Sequence, residues 1–217
     1  MMKNKVIKGQ VIPINQSNID TDVIIPKQYL KSIGKTGFGK FLFDSWRYEE
    51  PGDLWSKKSR KLNKDFILNK EPYSSGKILI VNDNFGCGSS REHAVWAIKD
   101  FGIEAIISTS FAEIFSSNSF RNQLLLVSVT KEQLNCLFEQ ISESETYHLT
   151  IDVLNQTIST LENVSINFSI DQSNKDRVIH GYDDIELTLK NKDQIKAFEK
   201  KIKSTKPWLF NNENEEK

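Results

Sequence analysis

Hydrophobic positions are unevenly distributed, and their spacing predicts most of the regular elements. Val6–Ile14 alternates loosely, as a first strand does. The polar stretch Asn18-Ile19-Asp20-Thr21-Asp22 reads as a turn leading into the apolar run Val23-Ile24-Ile25, which Pro26 stops. Three glycines between Gly34 and Gly39 mark a flexible loop, since each costs backbone entropy in a regular element. Residues 44–75 show no period and read as a surface covering. Beyond them the pattern sharpens. Lys77-Ile78-Leu79-Ile80-Val81 is a buried-strand run, 82–90 a loop rich in Gly, Asn and Ser, and Arg91–Phe101 a helix with Ala94, Val95, Ile98 and Phe101 on one face. Gly102 supplies the stop.

A second apolar strand follows at Ala105-Ile106-Ile107, a short helix at Phe111–Phe115, a third strand at Leu124–Val129 and a helix at Lys131–Ile141. Strands at Leu149–Leu154, Thr157–Leu161 and Val164–Ile170, with a hairpin around Asn155-Gln156, suggest an antiparallel extension. Lys190–Lys203 reads as a charged terminal helix. The alternation argues for an α/β domain around a partly parallel sheet. With neither a repeat nor a Gly/Ser linker to divide it, residues 1–203 read as one domain and 204–217 as a polar tail.

Composition narrows the function classes. The chain of 217 residues carries 29 basic and 29 acidic side chains, so no global field favours nucleic acid or an anionic membrane. Its start lacks the apolar region of a secretory signal, and its apolar runs are too short to cross a bilayer. A soluble, cytoplasmic protein is the expectation. Two cysteines, Cys87 and Cys136, make a poor disulfide framework and fall short of the three or four thiolates that hold an iron–sulfur cluster. No short ligand spacing links His93, His148 and His180, and no metal site is expected.

The segment from Asn82 to Ala94 carries the chemistry. It takes a buried strand through Gly86 and Gly88 into a helix start, where free backbone N–H groups and the helix dipole favour an anion. Arg91 adds a planar fork suited to a carboxylate or phosphate. A plainer reading stands beside this one: Ser89-x-x-Glu92 has the form of a capping box, Arg91 is a solvated first-turn residue, His93 is a surface or packing residue, and Cys87 is a small residue in a tight loop. Similarly, Asp22 is either a turn cap or a site carboxylate.

The string FGCGSSREHA, Phe85–Ala94, resembles the signature of the isopropylmalate dehydratase small-subunit family, itself similar to the swivelling fourth domain of aconitase. Further blocks match in order: residues 18–22 with Ile24-Ile25-Pro26-Lys27, Thr36-Gly37-Phe38-Gly39, Ser110-Phe111-Ala112 with Ile114-Phe115, then Asn118-Ser119-Phe120 and Asn122-Gln123-Leu124-Leu125. The resemblance spans residues 6 to 190. It departs at Asp171–Ile179, which is polar where a more apolar, arginine-containing helix is expected.

The resemblance implies a single swivelling β/β/α domain with a mixed sheet and flanking helices. It implies a hydro-lyase that moves a hydroxyl between adjacent carbons by dehydration and rehydration, acting in leucine biosynthesis. Ser89 is then the base that takes the carbon-bound proton, Arg91 holds a substrate carboxylate, Ser90 assists substrate binding through its backbone or hydroxyl, and Asp22 belongs to the same site. Tyr29, Leu30 and Ile33, in the segment after Pro26, are candidates for an apolar pocket that selects the side group. Half of the site is missing from this chain. The resemblance places a [4Fe-4S] cluster in a large partner subunit, where it holds the leaving hydroxyl, and predicts that this chain alone is colourless and inactive.

Rival readings are a homoaconitase or methylmalate/citraconate type of small subunit, with Lys27, Lys31 and Lys35 near the selecting loop, and a non-catalytic anion-binding module. Nucleotide binding is disfavoured, since Gly86-Cys87-Gly88 has neither GxGxxG spacing nor a following Gly-Lys-Ser/Thr. RNA binding lacks an aromatic–basic array.

Overall fold

The computed structural model describes residues 4–31, 34–55, 59–160 and 164–214. The chain divides into two compact units, Met1–Gly181 and Tyr182–Lys217.

In the larger unit, seven strands form one mixed sheet: β1 (Val6–Ile14), β2 (Ile78–Val81), β3 (Ala105–Ser108), β4 (Leu125–Ser128), β5 (His148–Asp152), β6 (Thr157–Ser159) and β7 (Ser165–Asn167). Their order is β4-β3-β2-β1-β5-β6-β7. The long strand β1 joins the two halves by changing partner midway. Residues Val6–Gln10 pair antiparallel with β5, and Val11–Ile14 pair parallel with β2. Pro13 is therefore tolerated, because that half of β1 has a strand neighbour on one side only. β2 and β3 are buried at every position, as expected of parallel strands covered on both faces.

The helices are α1 (Thr21–Ile24), α2 (Asp44–Arg47), α3 (Glu92–Phe101), α4 (Glu113–Arg121), α5 (Lys131–Ser142) and α6 (Gln172–His180). Where the sequence reads as turn followed by apolar run, the chain makes the single helical turn α1, with the Asp20 carboxylate accepting from Val23 N at 2.7 Å. A short helix was expected at Phe111–Phe115, but α4 starts at Glu113, because Phe111 is drawn into a bridge with Phe85. α6 forms despite its polar composition. Asp171 caps its start, left-handed Gly181 ends it, and Val178 and Ile179 are its buried residues.

Residues 44–75 are more than a covering. Phe43, Trp46 and Phe66 form an aromatic cluster, with Phe43 and Trp46 stacked at 5.3 Å, and Leu68 is 2 % exposed. A buried polar knot fastens this segment to residues 27–31. Asp44 is paired with Arg60 at 2.6 Å, and the Tyr29 hydroxyl and Arg60 both crowd Gly52, where a Cβ would have no room. Burial, reinforced by the charge of Asp44, pushes the Tyr29 phenol well above its ordinary value of 10.0. Below pH 10.0 the phenol is protonated in both folded and unfolded chains and has no effect on pH dependence. Above it, only the unfolded chain ionises, so stability falls as pH rises. Tyr29→Phe should accordingly flatten the alkaline limb of the stability–pH curve relative to the parent, measured by urea unfolding between about pH 8 and 11.

The smaller unit consists of α7 (Asp184–Leu189), α8 (Lys192–Thr205) and a 3-10 segment, Pro207–Asn214. A reciprocal capping box between Asp183 and Glu186 starts α7. The charged terminal helix expected from the sequence is α8.

Candidate active site

The three loops that leave the carboxyl ends of β1, β2 and β3 meet at one edge of the parallel half-sheet, the usual place for a ligand in such sheets. Backbone bonds zip them together. Asn18 N donates to Asp83 O at 3.0 Å, Gly86 N to Ile19 O at 2.8 Å, and Thr21 N to Cys87 O at 2.9 Å. On the other side, Phe85 N donates to Ser110 O at 3.2 Å and Ala112 N to Phe85 O at 3.0 Å. Buried Ser108 closes the base, its hydroxyl lying 2.5 Å from Asn82 O and 2.9 Å from Ser110 O.

Gly86 is required in the middle loop. Its φ is +76°, and a Cβ there would lie 2.2 Å from the Phe115 ring. This close approach brings the start of α4 against the loop. A cavity of about 210 Å³ results, lined by Thr21, Gly88, Ser89, Arg91, Glu113 and Ile114 among others. Of the site residues expected from the sequence, Ser89 and Arg91 share this small chamber, and Asp22 and Ser90 are not in its lining. It is smaller than the roughly 300 Å³ at which complete ligand pockets begin, as half of a site would be. A larger depression of about 400 Å³ beside Arg121 and Arg177 holds none of the expected site residues.

Ser89 is exposed and is not a helix cap. α3 starts at Glu92 with Arg91 in the N-cap position, and the Arg91 side chain makes no capping bond. Glu92 therefore sits too early in the helix to reach back, and its carboxylate accepts instead from Asn122 Nδ2 at 2.7 Å. The capping-box pattern is present in the sequence and absent from the fold. Ser90 is exposed beside Ser89.

Asp22 and Arg91 are brought together. The Arg91 fork donates to both carboxylate oxygens of Asp22, with Nη2 2.9 Å from Oδ2. The Arg91 side chain is 13 % exposed and Asp22 54 %. An arginine held this way presents its charge at the chamber wall in one fixed orientation. His93 packs edge-on against Phe38 at 5.4 Å, and Cys87 is a half-buried loop residue whose thiol burial holds above its ordinary value.

The selecting segment is placed differently from expectation. Tyr29 is 0 % exposed, stacked on Phe41 at 3.9 Å, and lines no part of the chamber. Its size and aromaticity suggest a pocket wall, but its hydroxyl is buried toward Gly52, beside Arg60 of the Asp44–Arg60 pair. Leu30 packs partly buried against the core, and Ile33 lies outside the described residues. Thr21 is the site residue that the sequence does not single out. It is 2 % exposed, and its hydroxyl donates to the Ser89 carbonyl at 2.8 Å. Lying between two acids, it reads as part of a polar turn, and nothing local signals that it reaches across 68 residues of chain.

Comparison with known proteins settles the family. The Aconitase C-terminal domain model matches residues 1–132, and the model of the C-terminal domain of the 3-isopropylmalate dehydratase small subunit matches residues 184–212. The 3-isopropylmalate dehydratase small subunit of Neisseria gonorrhoeae is 48 % identical over 206 residues, covering 94 % of this chain and 97 % of that one. This chain belongs to the 3-isopropylmalate dehydratase small-subunit family. The protein of the same name from Neisseria meningitidis serogroup C is 46 % identical over the same shares. A solved 3-isopropylmalate dehydratase structure from Methanocaldococcus jannaschii shares the fold, with a TM-score of 0.61 at 23 % identity, covering 90 % of this chain and 99 % of that one. The expected α/β architecture, with a mixed sheet and flanking helices, is thereby established. Among the described residues, no three His, Cys, Asp or Glu side chains are grouped to hold a metal, and no helix is long and apolar enough to cross a membrane.

Proposed function

We propose that this chain is the small subunit of a cytoplasmic 3-isopropylmalate dehydratase in leucine biosynthesis, and that it supplies the proton-transfer half of the active site. The supporting observation is the joint presence of Ser89 and Arg91 in one chamber of about 210 Å³ at the carboxyl edge of the parallel strands. The dicarboxylate substrate would place one carboxylate against Arg91, with Asp22 steadying the guanidinium and Ser90 adding a polar contact. Ser89 Oγ then accepts the carbon-bound proton. The electron pair of that C–H bond becomes the double bond of 2-isopropylmaleate as the hydroxyl leaves the adjacent carbon. Adding water back with the opposite placement of proton and hydroxyl gives 3-isopropylmalate.

A serine alkoxide needs stabilisation. The amides at the start of α3 and the Arg91 charge are the groups of this chain that could supply it. The [4Fe-4S] cluster that the family resemblance implies does not fit this chain. Cys87 stands in the site loop and Cys136 is exposed on α5, and no third thiol exists. The reading therefore assigns the cluster, and the departure of the hydroxyl, to a large partner subunit. Selection of the side group would rest on the segment carrying Leu30 and Ile33 once that partner covers it, with Tyr29 acting from beneath as its anchor.

Mixing the chain anaerobically with the cluster-loaded large subunit should convert 2-isopropylmalate to 3-isopropylmalate, with neither chain active alone. A stable pair that is inactive on isopropylmalate and active on homoaconitate would replace this substrate. Binding of dicarboxylates by the isolated chain, without turnover in the pair, would favour an anion-binding module.

A further inference from the structure

Thr21 touches Ser89 through the backbone. The two residues flanking the turn toward Ser89, Gly86 and Gly88, have φ of +76° and +86°, and α3 does not begin until Glu92. Neither a strand ladder nor a helical bond orients the peptide that joins Ser89 to Ser90, and both residues are exposed. Such a peptide flips by counter-rotating two adjacent dihedral angles, which swings its carbonyl and amide together. The Thr21 hydroxyl holds that carbonyl at 2.8 Å.

Thr21 is itself rigid. Its N–H is bonded to Cys87 O at 2.9 Å, its carbonyl accepts from Ile25 N at 3.0 Å, and its side chain is 2 % exposed. It also stands against Gly88, with its Oγ1 3.7 Å from where a Cβ would lie. We propose that Thr21 is a positioning residue for Ser89. Its buried hydroxyl fixes the plane of the Ser89–Ser90 peptide, and with it the direction of the Ser89 side chain. Because carbonyl and amide are antiparallel in a trans peptide, anchoring the carbonyl on Thr21 also turns the Ser90 N–H away from Thr21. The inference rests on the reading of Ser89 as the base.

Thr21→Val keeps the branched shape and removes the donor, whereas Thr21→Ser keeps the donor and removes a methyl. In the two-subunit enzyme, Thr21→Val should lower kcat roughly tenfold, as loss of one hydrogen bond would. KM should stay within about twofold, since the Arg91 contact is untouched. Thr21→Ser should recover most of the rate. In the isolated full-length chain, the Ser89 carbonyl carbon-13 resonance should shift in Thr21→Val and keep its position in Thr21→Ser. An unchanged kcat in Thr21→Val, equal losses in both variants, or an unmoved Ser89 resonance would each overturn the proposal. An inactive parent pair, or full activity in Ser89→Ala, would instead overturn the reading of Ser89 as the base, and these outcomes are seen before Thr21 is varied.

Discussion

Ser89→Ala is expected to reduce turnover of the two-subunit enzyme by about 10²–10⁴-fold, the usual range for removing a general base, while leaving the chain folded and the pair assembled. The separation of effects follows from where the side chain sits. Ser89 is exposed, it caps no helix, and the contact that holds its residue in place is made by its backbone carbonyl. Removing one hydroxyl from such a position should change stability by less than about 0.5 kcal/mol. KM should move little, because Arg91 and its partner Asp22 are undisturbed. Steady-state kinetics with thermal melts on the same preparation check both halves. Retained activity in Ser89→Ala would send the search for the base to the partner subunit. A large fall in melting temperature would show that the hydroxyl has a structural role instead.

Much of this site is readable from the chain alone because its parts are local. The strand Ile78–Val81, the glycine loop and the following helix are contiguous, and an apolar run ending at two glycines states its own geometry. The Ser89-x-x-Glu92 pattern misleads for a physical reason. A capping box requires Ser89 at the N-cap, but the bond from Thr21 to the Ser89 carbonyl and the glycine turns before it hold Ser89 outside the helix, which starts at Glu92. α1 is invisible to periodicity, since four residues contain barely one turn. The covering at 44–75 hides its order more completely. Its aromatic cluster draws on Phe43, Trp46 and Phe66, and its charged knot on Asp44 and Arg60, so the spacing reflects tertiary contacts and no repeat of helix or strand. Tyr29 shows the same limit from the other side. A tyrosine next to a proposed selecting loop suggests a pocket wall, and only its complete burial, with the hydroxyl crowded against Gly52 and Arg60, reveals it as an anchor.

That anchor carries the largest expected effect on stability. Arg60→Ala should destabilise the chain by about 3–5 kcal/mol, because it strands a charged carboxylate inside the protein. Asp44 is 1 % exposed and Arg60 15 %, with 2.6 Å between them, and the other Asp44 oxygen accepts from Gly52 N at 3.3 Å. The Arg60 guanidinium also lies 3.6 Å from the centre of the Tyr48 ring, so the truncation removes packing as well as charge. A nearby control is available in Lys61–Glu49, whose side chains are 71 % and 44 % exposed. Water screens that pair, so Lys61→Ala should cost less than about 1 kcal/mol. Urea unfolding of the parent and the two variants at neutral pH makes the comparison directly. Equal midpoints for Arg60→Ala and Lys61→Ala would mean that water reaches Asp44 and that the knot is no anchor. The cost should also be largely reversible by removing both charges, since Asp44→Leu with Arg60→Met leaves no buried ion behind. If the double variant regains stability but the assembled enzyme binds substrate more weakly, the pair's contribution is to hold residues 27–31 in place for substrate binding.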